Sequence, residues 1–261
     1  MRHVSRQQSN PVGLLILIVA VIVAYPLAIA SGSIPPTSVE TIQLQSKLVN
    51  ATLPYNVILP GDYRTSKTTR YPVLYLLHGL GGHYSDWLTR TNVADYAAQY
   101  RMIVVMPEGN DSWYVDGAAG VNDKYESYIL KELMPDVDKR YRTIQTRYGR
   151  AIAGLSMGGG QALRIGLKHP DRFAWIGGFS SALFGKQGGM VPDTAARKQL
   201  RLLWVSCGDT DRLIKGSEAF HAALEEAKVP HIWHVDVGGH TWPVWRNDLY
   251  LIAQMLFRDK K

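Results

Sequence analysis

The chain has 261 residues, of which 46% are hydrophobic and 20% charged, and its formal net charge is +7. This length is enough for one substantial core and argues against two full-size enzymatic domains. Lysines and arginines are scattered and form no run interleaved with aromatic residues, so we expect no nucleic-acid binding. The single cysteine, Cys207, excludes an intramolecular disulfide.

The N-terminal segment, residues 1–30, predicts export from the cytoplasm. Arg2 and Arg6 are followed by the apolar run Val12–Ala24 and by the small-residue pattern Ala28-Ile29-Ala30. This order is typical of a signal peptide that is cleaved after Ala30. Residues 12–30 are also nearly long enough for an uncleaved membrane anchor, so membrane anchoring stays open. In either case we expect the rest of the chain to be periplasmic, secreted or membrane-anchored outside the cytoplasm.

A Pro-containing linker, residues 31–38, leads to one predicted domain over residues 39–261. Two alternating stretches, Val39–Val49 and Ala51–Leu59, predict an antiparallel strand pair at the edge of a sheet. From Tyr71 onward, buried apolar runs alternate with helical segments, which predicts a mostly parallel sheet with helices on both faces. The further predicted strands are Val73–Leu77, Ile103–Met106, Ala151–Ala153, Ala174–Phe179, Leu202–Ser206 and His231–Val235.

Helical periodicity marks four further segments. Helices are predicted along Tyr125, Ile129, Leu133 and Val137, and over Met157–Lys168, Ser217–Lys228 and Trp242–Phe257. The stretch Ser181–Lys198 has no clear periodicity. It is too short for a separate cap domain, and we predict a loop beside a pocket.

The strongest chemical signal is the run Gly154-Leu155-Ser156-Met157-Gly158, which lies between a predicted strand and a predicted helix. This is the G-x-S-x-G pattern in the context that it requires. A strand that turns sharply into a helix forces strained backbone angles on the serine, and the flanking glycines leave room for the turn. We therefore predict that Ser156 is a nucleophile at a helix N-terminus in an α/β-hydrolase fold.

A serine hydroxyl becomes a good nucleophile only beside a general base, which a carboxylate must orient. In this fold the acid and then the histidine follow the serine along the chain. His240 lies in the glycine-rich turn Gly238-Gly239-His240-Thr241, between the last predicted strand and the last predicted helix. Such a loop can bring an imidazole over the nucleophile, so His240 is predicted to be the base.

Two aspartates compete for the role of the acid, both in the run Gly208-Asp209-Thr210-Asp211 after the strand Leu202–Ser206. Asp211 is preferred, because the far end of the loop can reach back toward the histidine. Asp209 then serves the turn, and the reverse assignment is kept as the alternative.

The run Leu77-His78-Gly79-Leu80-Gly81-Gly82 directly follows the strand Val73–Leu77. Glycines at this position let backbone N–H groups point at a substrate carbonyl oxygen. The N–H groups of Leu80 and Met157 are predicted to form a two-donor oxyanion hole. No metal or other cofactor is expected, since this chemistry needs none and no His/Asp/Glu cluster stands out at metal-ligand spacing.

Two runs carry a resemblance to a known family: Ile152-Ala153-Gly154-Leu155-Ser156-Met157-Gly158-Gly159-Gly160-Gln161 and His169-Pro170-Asp171-Arg172-Phe173. They closely resemble the putative-esterase family, and the similarity extends from about Val39 to the C-terminus. That family contains feruloyl and acetylxylan esterases of carbohydrate esterase family 1, tributyrin-type esterases, S-formylglutathione hydrolases related to esterase D, and mycolyltransferases. The resemblance implies an α/β-hydrolase fold with a catalytic triad.

The resemblance also extends to individual site residues. The run from Cys207 to Ile214 resembles the feruloyl-esterase segment in which the second aspartate is the triad acid, and this supports Asp211. The family pattern implies that Leu80 and Met157 supply the oxyanion donors, and it places Trp113 and Tyr114 beside the acyl pocket. Both rings are predicted to stack on an aromatic acyl group or a sugar, with core and rim packing kept as the alternative for Trp113.

These observations predict an exported serine carboxylesterase that acts through an acyl-enzyme intermediate. Its expected substrates are short-chain or aromatic acyl esters, either small molecules or feruloyl and acetyl esters of polysaccharides. Export argues against an S-formylglutathione hydrolase, whose thioester substrate is cytosolic. An acyltransferase with a sugar acceptor is the main alternative, and a non-catalytic binding module at the cell envelope is the second. The sequence leaves the oligomeric state open.

Overall fold

A computed structural model describes residues 37–117, 123–183, 190–193 and 198–258. All of these residues belong to the second of the two units into which the chain divides, Ile34–Lys261. The predicted signal peptide or anchor, residues 1–30, lies outside the described residues, as does most of the linker. Within the described ranges, no helix has the length and apolar character needed to cross a membrane.

The described residues form one eight-stranded sheet in the order β1-β2-β4-β3-β5-β6-β7-β8. Strands β1 and β2 form an antiparallel pair, β2 is antiparallel to β4, and the other pairs are parallel. The mostly parallel sheet with an antiparallel N-terminal edge is therefore confirmed. The strands are β1 Ser38–Ser46, β2 Ala51–Leu59, β3 Val73–Leu77, β4 Ile103–Pro107, β5 Arg150–Leu155, β6 Trp175–Phe179, β7 Leu202–Gly208 and β8 Ile232–Asp236.

The first strand is shorter than its predicted range, which ran to Val49. It ends at Ser46, whose hydroxyl donates to Glu132 over 2.5 Å. The backbone N–H groups of Lys47 and Leu48 also donate to the Glu132 carboxylate. These bonds turn the chain away from its pairing with β2. The sequence could not predict the end of β1, because Glu132 lies far along the chain.

Helices cover both faces of the sheet. Two short helices, α1 and α2, precede β4 and were not predicted, and a π-helical turn over Ile129–Leu133 separates α3 from α4. The last helix ends at Ala253 instead of the predicted Phe257. The helices are α1 Asp86–Arg90, α2 Val93–Gln99, α3 Tyr125–Tyr128, α4 Met134–Arg140, α5 Ser156–Lys168, α6 Ile214–Glu226 and α7 Trp242–Ala253.

The sheet separates two apolar clusters, one on each face. Along β3, Leu74 and Leu76 join one cluster, whereas Val73, Tyr75 and Leu77 join the other. Burial of both faces explains why the parallel strands are continuous apolar runs. The parallel registers bring the C-terminal ends of β3, β5, β7 and β8 to one edge of the sheet, where open α/β sheets bind their ligands.

Candidate active site

The turn from β5 into α5 positions Ser156. Its φ is +54°, in the left-handed region that non-glycine residues rarely adopt. A Cβ on Gly154 would lie 2.7 Å from the backbone of Gly158, and one on Gly158 would lie 2.4 Å from the carbonyl oxygen of His78. Both glycines are required because the turn presses the start of α5 against β5 and the end of β3. The strained turn predicted from the sequence is present.

The predicted Ser156, His240 and Asp211 side chains meet at this edge. Ser156 Oγ lies 2.9 Å from His240 Nε2, and His240 Nδ1 lies 2.8 Å from Asp211 Oδ2. The other oxygen of Asp211 accepts the N–H of Leu213 at 2.8 Å. Because a carboxylate accepts a hydrogen bond from Nδ1–H, the neutral imidazole presents a bare Nε2 to the serine hydroxyl.

Burial and packing hold the histidine in this position. The Asp211 side chain is closed to solvent, whereas that of His240 is 15% exposed. The ring of Trp245, in the first turns of α7, meets the imidazole edge to face at 4.9 Å. The base is therefore packed against Trp245 and can still reach a substrate.

Asp209, the alternative acid, has a different partner. Its Oδ1 accepts the N–H of Gly238 at 2.8 Å, and its own N–H donates to the Asp236 carbonyl oxygen at 2.8 Å. A Cβ on Gly208 would lie 2.1 Å from the Gly238 carbonyl oxygen, so the acid loop and the histidine loop are in close contact. The structure brings Asp211 to His240 and uses Asp209 to join the two loops.

The loop after β3 lies against the nucleophile turn. A Cβ on Gly79 would lie 3.3 Å from the Cβ of Ser156. The N–H of Gly81 donates to Asp111 Oδ1 at 2.7 Å, whereas the Leu80 N–H has no acceptor among the described residues. Met157 is the second residue of α5, where backbone N–H groups lack an intrahelical partner. Both predicted oxyanion donors thus lie on segments that meet at the serine.

His78, the residue before this loop, is buried and was not singled out from the sequence. Its Nε2 accepts the N–H of Gly109 at 2.9 Å, and its Nδ1 lies 2.7 Å from the Gly79 carbonyl oxygen. The ring therefore links the oxyanion loop to the loop after β4. The sequence could have indicated this role, because His78 directly follows the predicted strand β3.

Glu108, which follows β4, is the second buried residue of this support. It lies 3.2 Å from His78 Nε2 and accepts the N–H groups of Asn110 and Tyr84 at 2.9 and 3.3 Å. Burial by itself would raise the pKa of this carboxyl, but the adjacent His78 ring and the N–H groups of Asn110 and Tyr84 lower it to about 2. Glu108 is therefore a charged anchor beneath both loops.

Trp113 and Tyr114 occupy the loop after β4, as predicted, but their surroundings differ. Both have positive φ values, +58° and +47°. The Tyr114 ring is fully buried on Gly109, where a Cβ would lie 2.2 Å from the ring, and it faces the His78 ring at 5.6 Å. A buried ring offers no face to a substrate, so Tyr114 supports the loop instead of stacking. Trp113 is half-buried, and its role in stacking on a substrate stays a prediction.

The predicted loop Ser181–Lys198 borders a cavity of about 590 Å³ whose lining contains none of the triad residues. Residues 184–189 and 194–197 lie outside the described residues. Cys207 is buried at the end of β7, and burial raises the pKa of its thiol to about 11. A thiol of this kind is a packing group and a poor nucleophile.

The chain is similar to known esterases in sequence and in fold. The family described as "Putative esterase" matches residues 46–256. The endo-1,4-beta-xylanase/feruloyl esterase of Xylanibacter ruminicola is 32% identical over 78% of this chain. The diacylglycerol acyltransferase/mycolyltransferase Ag85B of Mycobacterium leprae is 35% identical over 45% of this chain. A solved ferulic acid esterase superimposes with a TM-score of 0.78 at 31% identity, covering 85% of this chain and 98% of its own.

The chain spans only part of the two curated relatives. It covers 29% of the length of the Xylanibacter protein and 38% of the mycolyltransferase. The similarity to the ferulic acid esterase, by contrast, extends over almost all of that structure and confirms the α/β-hydrolase fold.

Proposed function

Because the chain belongs to the putative-esterase family, we propose that it is a serine esterase with Ser156 as nucleophile, His240 as general base and Asp211 as the acid that orients the histidine. One observation carries the proposal: the two hydrogen bonds, 2.9 and 2.8 Å long, that join the three side chains in a line. A serine, a histidine and a carboxylate in this order are the parts needed for acyl transfer.

The proposed reaction has two steps. Ser156 Oγ attacks the ester carbonyl carbon while His240 Nε2 takes the hydroxyl proton, and the same proton then passes to the departing alcohol. The N–H groups of Leu80 and Met157 donate to the developing oxyanion, and the N-terminus of α5 adds partial positive charge there. Water, activated by His240, then attacks the acyl-enzyme and releases the acid and free Ser156. No cofactor takes part.

The proposed substrates are esters of short-chain or aromatic acids, including feruloyl and acetyl groups on polysaccharides. The similarity to a feruloyl esterase and to a ferulic acid esterase supports the aromatic acyl class. The connection between β6 and β7, residues 180–201, is too short for a cap domain, which favours access for a bulky alcohol. Trp113 is the proposed stacking surface for the acyl ring.

The test is hydrolysis of p-nitrophenyl acetate, p-nitrophenyl octanoate, methyl ferulate and acetylated xylan by the full chain, beside Ser156→Ala. We expect kcat/KM to fall at least about a thousandfold in the variant, because the nucleophile is lost. Fluorophosphonate labelling of wild type but not of the variant is the second readout. If wild type neither labels nor hydrolyses any of the four esters, a non-catalytic binding role replaces the esterase proposal.

The second candidate function is acyl transfer to a sugar with the same triad, which the similarity to a mycolyltransferase favours. The two functions differ only in whether water or a sugar hydroxyl attacks the acyl-enzyme. Product analysis with and without a sugar acceptor separates them. Acylated sugar formed at the expense of free acid would favour the transferase.

We also propose that the chain is exported, since residues 1–30 have the basic, apolar and small-residue order of a signal peptide. Fractionation of cells that express the full chain, followed by N-terminal sequencing, tests this. Recovery outside the cytoplasm with Ser31 as the first residue indicates cleavage after Ala30. Recovery from the membrane with the N-terminus intact indicates an anchor over residues 12–30.

A further inference from the structure

Two histidines and a glutamate converge where α6 ends and the chain enters β8. His221 and Glu225 are one helical turn apart and share a face of α6, whereas His231 immediately precedes β8. His221 Nδ1 lies 2.8 Å from His231 Nε2, and Glu225 Oε1 lies 3.9 Å from the same nitrogen. Sequence spacing did not predict this cluster, because the third member comes from beyond the end of the helix.

The surrounding contacts determine which nitrogen of His231 carries the proton, and they hold the ring of His221 in place. His231 Nδ1 lies 2.8 Å from the Val229 carbonyl oxygen, which can only accept, so Nδ1 carries the proton and the neutral ring has a bare Nε2. The side chain of His231 is 2% exposed, and the ring of His221 stacks on Trp233 at 5.2 Å and 9°. A backbone carbonyl on the far nitrogen is the usual support of a metal-ligating histidine.

We infer that His221, Glu225 and His231 bind a divalent transition metal ion, with Zn²⁺ as the best match. Tetrahedral Zn²⁺ with ligands at about 2.0–2.1 Å requires donor atoms about 3.3 Å apart. The separations of 2.8 and 3.9 Å lie on either side of that value. Two imidazoles and one carboxylate favour Zn²⁺ over Mg²⁺ or Ca²⁺, which prefer oxygen ligands.

Binding requires only small rearrangements. Without metal, His221 Nδ1–H donates to the bare Nε2 of His231, so a single proton lies between the two facing nitrogens. On binding, that proton moves to His221 Nε2 and both facing nitrogens donate a lone pair to the metal. The Glu225 side chain is 68% exposed and is free to swing inward as the third ligand. Water completes the tetrahedron.

The metal site is separate from the proposed active site. His231 precedes the N-terminal end of β8, and His240 follows its C-terminal end, so the whole strand lies between them. The ion would join α6, which follows the Asp211 loop, to the strand that leads to the His240 loop. We expect added stability and an unchanged rate of ester hydrolysis.

The test is calorimetric Zn²⁺ titration of the full chain, purified without a polyhistidine tag. Wild type is expected to bind one Zn²⁺ with a Kd of about 1 μM. His231→Gln is expected to weaken binding at least about a hundredfold and Glu225→Gln about tenfold. Glu226→Gln removes the same charge from the next exposed residue and serves as the matched control. Saturating Zn²⁺ should raise the Tm of wild type by a few degrees, because only the folded site binds.

Two results would overturn the inference: no saturable binding to wild type, or equal Zn²⁺ affinity in wild type and His231→Gln. Because Glu225 is exposed, its variant keeps the test meaningful even if His231→Gln fails to fold. Co²⁺ substitution gives an independent readout, since a tetrahedral site produces strong visible absorption that the variants should lack. None of these readouts depends on esterase activity.

Discussion

Two buried carboxyl groups beside β7, those of Asp211 and Asp248, differ in their hydrogen-bond partners. Asp211 follows the strand and is 2% exposed, and Asp248, on the α7 helix that packs against it, is 0% exposed. Asp211 accepts hydrogen bonds from His240 Nδ1 and from the Leu213 N–H. Neither oxygen of Asp248 has a hydrogen-bond partner among the described residues.

The protonation of Asp248 follows from this isolation. Burial raises its pKa to about 8, with the charge of Asp236 adding to the rise. The Ser206 hydroxyl and the Trp204 indole N–H oppose the rise, but neither is in hydrogen-bond geometry with an acceptor. Asp248 therefore lacks the donors that would offset the cost of burying its charge.

The largest expected effect follows from changing Asp211→Asn. An amide at this position donates to His240 Nδ1, which favours the tautomer with the proton on Nε2. That tautomer cannot take the proton of Ser156, so kcat/KM should fall by about 10³–10⁴-fold. The measurement is hydrolysis of p-nitrophenyl acetate, with thermal unfolding to verify that the variant is folded.

Asp248→Asn is the matched control, because it makes the same change at the other buried carboxyl. It should leave kcat/KM at pH 7 close to the wild-type value, since neither oxygen of Asp248 has a hydrogen-bond partner among the described residues. A loss below about tenfold in Asp211→Asn would contradict the assignment of the acid.

The second effect is on the pH dependence of stability. Because the pKa of Asp248 rises from 3.8 to about 8 on folding, the folded state holds a proton that the unfolded chain has released between these values. Its stabilising contribution is therefore complete below about pH 4 and is lost as the pH rises to about 8, with a slope of at most about 1.4 kcal/mol per pH unit.

Asp248→Asn removes this titration. The free energy of unfolding of wild type minus that of the variant should fall steadily from pH 5 to pH 8 and level off above that. Urea unfolding at unit pH intervals measures the difference, and other titrating groups cancel in the subtraction. Parallel curves for the two proteins would show that Asp248 keeps its ordinary pKa in the fold.

The sequence predicted the features whose causes lie within a few residues. The nucleophile turn was predicted because Gly154, Ser156 and Gly158 are contiguous with their strand and helix. The strands were predicted because burial of both faces of a parallel sheet produces apolar runs. Their centres agree with the structure.

The rest depends on contacts between distant residues. The end of β1 is set by Glu132, and the burial of Tyr114 depends on its contact with Gly109. Asp248 gave no sequence signal, since an aspartate inside an amphipathic helix is ordinarily on the exposed side. The sequence favoured Asp211 over Asp209, but the contact of Asp209 with the Gly238 N–H could not be predicted from it.

The smallest expected effect tests the assignment of the acid by changing Asp209 instead of Asp211. Asp209→Ala removes the acceptor of the Gly238 N–H and loosens the histidine loop, without touching His240 itself. Loss of one hydrogen bond to a charged acceptor should lower kcat about tenfold with little change in KM. Steady-state kinetics on p-nitrophenyl acetate separate the two constants.

Asp209→Asn decides between positioning and catalysis. The asparagine keeps an oxygen that can accept the Gly238 N–H, so a positioning residue predicts near-complete rescue relative to Asp209→Ala. A triad acid predicts the opposite, because an amide beside the histidine stabilises the wrong tautomer and costs about 10³-fold or more. Asp209 and Asp211 lie only two residues apart in one loop, so a general disturbance of the loop would affect both variants alike. A large loss of kcat/KM in Asp211→Asn and near wild-type activity in Asp209→Asn would assign Asp211 to the imidazole and Asp209 to the Gly238 contact.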